Sequence, residues 1–97
     1  CNFENKIYMP ELSRFFGIII TMYWERDAKH HKAHFHAIYG EYVCMFSIPE
    51  IKVLQGSLPS RAMRLVKEWA ELHIEELQNN WDMAMHDLPL KPINPLT

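Results

Sequence analysis

This 97-residue chain has few cysteines, few glycines and almost no excess of charge of either sign. Its two cysteines, Cys1 and Cys44, are too few for the disulfide framework of a small secreted domain, so we expect a cytoplasmic protein. Its three glycines form no glycine-rich phosphate loop. Ten Lys and Arg against twelve Asp and Glu give a net charge of -2, which excludes a globally basic nucleic-acid-binding protein but leaves a local basic patch open.

Long hydrophobic runs are missing as well. The most apolar segment, Phe15 to Trp24, is about half as long as the roughly 20 residues of a membrane-spanning helix. No charged region with a small-residue cleavage site precedes it, so we expect neither a signal peptide nor a membrane partner. Apolar residues still make up 48% of the chain, as in an ordinary globular protein. We expect an N-terminal appendage at residues 1–8 and a single α+β domain over residues 9–97.

The segments rich in β-branched and aromatic residues predict the strands. Residues 15–24 predict one buried strand, preceded by a helical turn or a cap at 10–14. The runs on either side of Gly40 predict a β-hairpin over 34–48, and a further short strand at 51–54 follows the break at Pro49. The connections are too short for helical crossovers, which favours a small, mainly antiparallel sheet of three to four strands.

One long C-terminal helix is predicted to cover this sheet. Residues 61–80 contain neither Gly nor Pro and are rich in good helix formers. A helical period places an apolar stripe on one face: Ala62, Leu65, Val66, Trp69, His73 and Leu77. Asn79 and Asn80 end this helix or kink it before 81–86. The proline-rich tail, 88–97, is predicted to be extended and to contact the body through Leu90, Ile93 and Leu96.

Four of the six histidines lie close together: His30, His31, His34 and His36. If residues 34–38 are extended, His34 and His36 project from the same face of a strand. His30, His34 and His36 are then candidate ligands for zinc or another divalent transition metal, because a neutral imidazole offers a nitrogen lone pair. Alternatively, His34 and His36 are a catalytic general base and acid. Solvated imidazoles with a structural or interaction role are the third alternative, and this one needs no cofactor.

Basic residues flank these histidines. Arg26, Lys29 and Lys32 are candidate contacts for RNA phosphates, and nearby rings are candidate stacking surfaces for bases: Tyr23, Trp24 and Phe35. A solvated basic loop is the alternative. Beyond Lys67 the helical region has no Lys or Arg and carries an acidic flank that would repel nucleic acid: Glu68, Glu71, Glu75, Glu76, Asp82 and Asp87.

Two further residues, His73 and Cys44, carry groups that could take part in chemistry. His73 lies on the apolar face of the predicted helix, where a buried, hydrogen-bonded core residue is one interpretation. The other places it beside His34 or His36 as part of one site. Cys44, within a predicted strand, is interpreted as a small buried hydrophobic residue.

Several segments together resemble the bacterial family known as domain of unknown function 4160. They are Met9 to Ile20, His34-Phe35-His36, Tyr39 to Tyr42, Leu58 to Ala62, Glu68 to His73 and Asn80-Trp81. The family's motif is His-x-Pro-Pro-His-Phe-His. His30, His34 and His36 match its histidines, whereas Lys32 and Ala33 stand where two prolines are usual, which loosens the loop.

The resemblance implies a small cytoplasmic bacterial protein, encoded beside another small protein in an arrangement similar to toxin–antitoxin pairs. It implies no reaction or ligand. We therefore expect an interaction component of such a two-gene module. Its acidic flank or its proline-rich tail contacts the product of the neighbouring gene, and its histidine patch faces RNA. The alternative is a metal-binding or acid–base enzyme that uses His30, His34 and His36. A homo-oligomer is left open.

Overall fold

The computed structural model describes residues 10–25 and 32–97. Within these ranges the chain forms five strands followed by two helices. The strands are β1 (Glu11–Phe15), β2 (Ile18–Thr21), β3 (His34–Tyr39), β4 (Tyr42–Ser47) and β5 (Val53–Gly56), and the helices are α1 (Ser60–Leu72) and α2 (Ile74–Met85). All neighbouring strands are antiparallel, in the order β1-β2-β3-β4-β5. The predicted α+β class is confirmed. The strand number and the single long helix were wrong, and the appendage at 1–8 lies outside the described residues.

The additional strand comes from the N-terminal half of the domain. Residues 11–14 form most of β1 and neither a helical turn nor a cap, and the predicted strand 15–24 is interrupted by a two-residue turn at Phe16-Gly17. Both turn residues have positive φ, 50° and 81°, which is the geometry of tight β-hairpins. Phe15 and Ile18 therefore pair across a hairpin instead of following one another along one strand.

The predicted hairpin around Gly40 is confirmed, since Tyr39 and Tyr42 close the β3–β4 pair. The last strand is shifted by two residues from its predicted position at 51–54. Ile51 has a φ of 56°, which is outside the range of an extended strand, so β5 begins only at Val53.

The first helix covers the sheet with the apolar stripe that its sequence predicts. Leu65, Val66 and Trp69 are buried, and the Trp69 ring lies 5.4 Å from the Phe15 ring and 6.0 Å from the Phe35 ring, between centroids. The break between the helices is at His73, with φ −127° and ψ 30°, and not at Asn79-Asn80. Leu77 is buried on α2, as predicted. In the described part of the chain, no helix is both long and apolar enough to cross a membrane.

The proline-rich tail is bound to the body. Ile93 is buried, its N–H donates to the Leu12 carbonyl at 2.8 Å, and Leu90 and Leu96 lie against the core as predicted. The Trp69 Nε1–H donates to the Asn94 carbonyl at 2.8 Å. The tail is therefore held to both β1 and α1.

Candidate functional site

The start of β3 brings two of the predicted site residues together. Side chains alternate along a strand, so His34 and His36 share one face while Phe35 points to the other, towards Trp69. The two imidazole centroids are 5.4 Å apart, in an edge-to-face arrangement with an interplanar angle of 70°. His30 and His31 lie outside the described residues, so the structure describes a pair and not the predicted trio.

His34 is held from two sides. Its Nδ1 lies 2.8 Å from the Lys32 carbonyl oxygen, which can only accept a hydrogen bond, so Nδ1 carries the proton and Nε2 remains as an acceptor when the ring is neutral. Its ring lies 4.9 Å from that of Trp81 on α2. Trp81 is buried and at the same time forms one wall of this site.

His36 is the more enclosed of the two, with 8% of its surface exposed. Its ring stacks on Tyr23 at 5.2 Å with an interplanar angle of 10°. Burial, and secondarily the neighbouring His34, lowers the pKa of His36 from 6.5 to about 4, because both disfavour a positive charge. At neutral pH the ring is therefore uncharged.

A buried hydroxyl group, that of Thr21, also belongs to this site. Thr21 is the cross-strand partner of His36. Among the described residues, neither the His36 Nδ1 nor the Thr21 Oγ1 has a hydrogen-bond partner, although both atoms are buried. Unpaired buried polar atoms are rare and costly. This strand position consequently has hydrogen-bonding capacity that the described part of the fold does not use.

Acid–base catalysis by the histidine pair is poorly matched to these properties. A general acid or base works best when its pKa is close to the operating pH. With a pKa of about 4, His36 carries almost no proton to donate at neutral pH. The arrangement is instead a cluster of packed rings in which His36 is uncharged and two buried hydrogen-bonding atoms are unused.

The structure describes only some of the residues predicted for the metal site and the basic patch. No group of three potential His, Cys, Asp or Glu ligands converges within residues 10–25 and 32–97. Arg26 and Lys29 lie outside those ranges. Lys32 is exposed and forms an ion pair with Glu50, with 3.4 Å between Nζ and Oε1.

Not all of the proposed stacking rings are accessible. Phe35 is fully buried and stacks on Phe46 at 5.2 Å, so it offers no surface to a base. Tyr23 is half-buried and already stacks on His36. Sequence reasoning missed that Trp81 belongs to this cluster, because 47 residues separate it from His34 along the chain and no spacing rule links them.

His73 is separate from this pair in its contacts. It lies at the junction of α1 and α2, 5.4 Å from the Trp69 ring, and its Nδ1 contacts the Glu76 carboxylate. The ring contacts of the described residues join it to Trp69 and to neither His34 nor His36. The hydrogen-bonded interpretation is thus the better one, with the side chain partly exposed. Cys44 is a buried free cysteine, and burial raises the pKa of its thiol.

Comparison with known proteins places the chain in a family. A family model described as domain of unknown function DUF4160 matches residues 17–82, more than half of the chain, so the chain belongs to this family. The match includes β2 to β5, α1 and most of α2, and with them His34, His36 and Trp81. No curated protein and no solved structure matches the chain.

Proposed function

We propose that this DUF4160 protein is the partner-binding component of a toxin–antitoxin-like two-gene module. Its acidic flank contacts the product of the neighbouring small gene, and the histidine patch is the effector surface, where the partly exposed rings of His34 and Tyr23 are the ones that a ligand can reach. RNA is the ligand proposed for that surface. The proposal places the protein in the cytoplasm.

The observation that carries the partner contact is the exposure of the acidic flank. Glu68, Glu71, Glu75 and Asp82 are all exposed, and no Lys or Arg follows Lys67 in either helix. Such a concentration of one charge sign steers a cationic partner and repels nucleic acid. The tail, which was the other candidate for this contact, is less suited to it because Ile93 and its neighbours are already bound to the body.

Co-expression with the neighbouring gene tests the partner contact. The two products are expected to elute together in size-exclusion chromatography, and Glu75→Lys with Asp82→Lys is expected to separate them. Glu41→Lys is the control, since it also replaces an exposed acidic residue by lysine, but at a single position in the β3–β4 turn. The proposed surface is contradicted if the two products still elute together in the variant with Glu75→Lys and Asp82→Lys. It is also contradicted if Glu41→Lys separates them equally well.

The effector surface is tested by expression without the neighbouring gene. Wild type is expected to slow growth, and a variant with both His34→Ala and His36→Ala is expected to relieve that effect. Total RNA integrity then separates cleavage from binding. Intact RNA together with slowed growth supports a binding surface, degraded RNA supports a His-dependent nuclease, and normal growth of wild type removes the effector role.

Metal binding by His30, His34 and His36 is the competing proposal. It requires imidazole nitrogens at about 2.1 Å from a zinc ion. Calorimetric titration with zinc tests it, with His34→Ala as the variant that should abolish binding and His86→Ala as a histidine control outside the cluster. Equal heats for wild type and His34→Ala exclude a site at these residues.

A further inference from the structure

The exposed face of α1 carries four charges in a defined order. Arg61 and Arg64 come first and Glu68 and Glu71 follow, and all four are exposed. At 3.6 residues per turn these positions fall within an arc of about 80°, so they form a single stripe along the helix. Within the described residues, no ion pair engages any of the four.

This order is unfavourable for an isolated helix. The N-terminal end of a helix favours acidic side chains and the C-terminal end favours basic ones. α1 has no acidic residue in its first turn and no basic residue in its last turn. Arg64 and Glu68 are four residues apart, but with the base on the N-terminal side, which is the weaker orientation for such a pair. The stripe therefore contributes little to the stability of the single chain.

The spacing of the stripe is self-complementary when a second α1 runs antiparallel to it. Residue 66 is midway between Arg61 and Glu71 and also midway between Arg64 and Glu68. A two-fold axis at this level places Arg61 opposite Glu71 of the second copy and Arg64 opposite Glu68 of the second copy. The two-fold axis forms each pair a second time, with the two copies exchanged. The same patch of both copies is then used, so the assembly ends at a dimer.

Apolar side chains flank the stripe at both ends. Leu72, at the C-terminal end of α1, is 68% exposed. Phe16 is also exposed, and the Arg61 guanidinium lies 5.9 Å from the centre of its ring. Contact with a second copy would cover part of this surface, as interfaces combine apolar contacts with charged pairs.

We propose that the protein forms a two-fold homodimer through the exposed face of α1, held by Arg61–Glu71 and Arg64–Glu68 pairs between the two copies. Ion pairs at a small exposed interface contribute modestly, so the dimer is expected to be weak and salt-sensitive. The inference does not rest on the neighbouring gene product, whose proposed contact is tested on the α2 part of the acidic flank, at Glu75 and Asp82, two residues that the dimer pairs do not use.

Charge exchange tests the dimer. One variant carries Arg61→Glu with Arg64→Glu, and the other carries Glu68→Arg with Glu71→Arg. Each is expected to be monomeric alone, because like charges then face each other, and an equimolar mixture is expected to form a heterodimer. Each variant improves the match of one end of α1 to the helix dipole but places like charges at positions 64 and 68, four residues apart, so melting temperatures close to that of wild type are expected. The measured melting temperatures then distinguish a loss of association from a loss of folding.

Sedimentation velocity over micromolar to millimolar protein provides the readout, in about 0.05 M and about 1 M salt. Wild type is expected to show a concentration-dependent dimer in low salt that dissociates in high salt. The dimer is overturned if wild type stays monomeric throughout, if its association resists high salt, or if the mixed variants fail to pair. Glu75→Lys with Asp82→Lys is expected to preserve the dimer, which keeps this result separate from the test of the heterologous partner.

Discussion

At the scale of single residues, His36 shows how the fold changes the chemistry of a side chain. A solvated histidine titrates near neutral pH. His36 is instead buried against Tyr23 and beside His34, and its pKa falls to about 4. The sequence motif indicates a histidine that could act as an acid or base, whereas the contacts of the folded chain favour a neutral ring.

The depressed pKa of His36 predicts acid sensitivity. The unfolded chain takes up a proton at this residue near pH 6.5 and the folded chain only near pH 4, so stability is lost as the pH falls through this window. The loss attributable to His36 is on the order of 3 kcal/mol, at about 1.4 kcal/mol for each unit of pKa. Urea unfolding of wild type and His36→Gln at several pH values measures it. The variant is expected to show a shallower decline, and parallel curves would contradict the buried, neutral ring.

At the scale of elements, Gly56 controls the pairing of β5 with β4. Gly56 has a φ of 85°, and a Cβ built at this position would lie 2.0 Å from the Val43 carbonyl oxygen. Gly40, in the β3–β4 turn, also has positive φ, at 58°, but a Cβ there would meet nothing within 4 Å. The two glycines thus separate the cost of backbone conformation from the cost of a steric clash.

Alanine substitutions at these two glycines are expected to differ. Gly40→Ala should cost about 1–2 kcal/mol, the penalty for placing an L side chain in the left-handed region. Gly56→Ala should cost more, because the added methyl group must also push β5 away from Val43. The free energy of unfolding in urea measures both. Equal costs would mean that β5 moves aside without loss and contributes little to the sheet.

Elements were predictable from sequence where local signals and tertiary contacts agree. The apolar stripe of α1 predicts the burial of Leu65, Val66 and Trp69, because only one face of a helix can meet the sheet. The Phe16-Gly17 turn was missed because its apolar neighbours continue the pattern of a strand on both sides. The helix break was placed at Asn79-Asn80, two residues with turn propensity, whereas Asn80 is buried inside α2 with hydrogen bonds to the tail.

At the scale of the whole molecule, the site is assembled from distant parts of the chain. Alternate positions on one strand made the pairing of His34 and His36 predictable. The contacts of His34 with Trp81 and of His36 with Tyr23 were not, because they depend on where α2 and the end of β2 come to lie. Tertiary packing, which no local pattern encodes, decides which of the neighbouring rings are accessible.

The tail is expected to unfold together with the body and not as an independent segment. Asn80 donates through Nδ2 to the Lys91 carbonyl at 2.9 Å and accepts at Oδ1 from the Lys91 N–H at 2.7 Å. These bonds involve the backbone of Lys91 and the side chain of Asn80. Asn80→Ala should therefore destabilise the protein by about 1–3 kcal/mol, the range for removing a partner from buried polar groups.

Lys91→Ala is the matched control, because it keeps both backbone bonds and removes only an exposed side chain. It is expected to leave the free energy of unfolding in urea unchanged. Limited proteolysis supplies a second measurement: in Asn80→Ala the tail should be cleaved faster than in wild type, since the hold on Ile93 at β1 is weakened. Faster cleavage with unchanged global stability would mean that the tail detaches alone. Unchanged cleavage in Asn80→Ala would mean that Ile93 and the Trp69–Asn94 bond suffice to hold it.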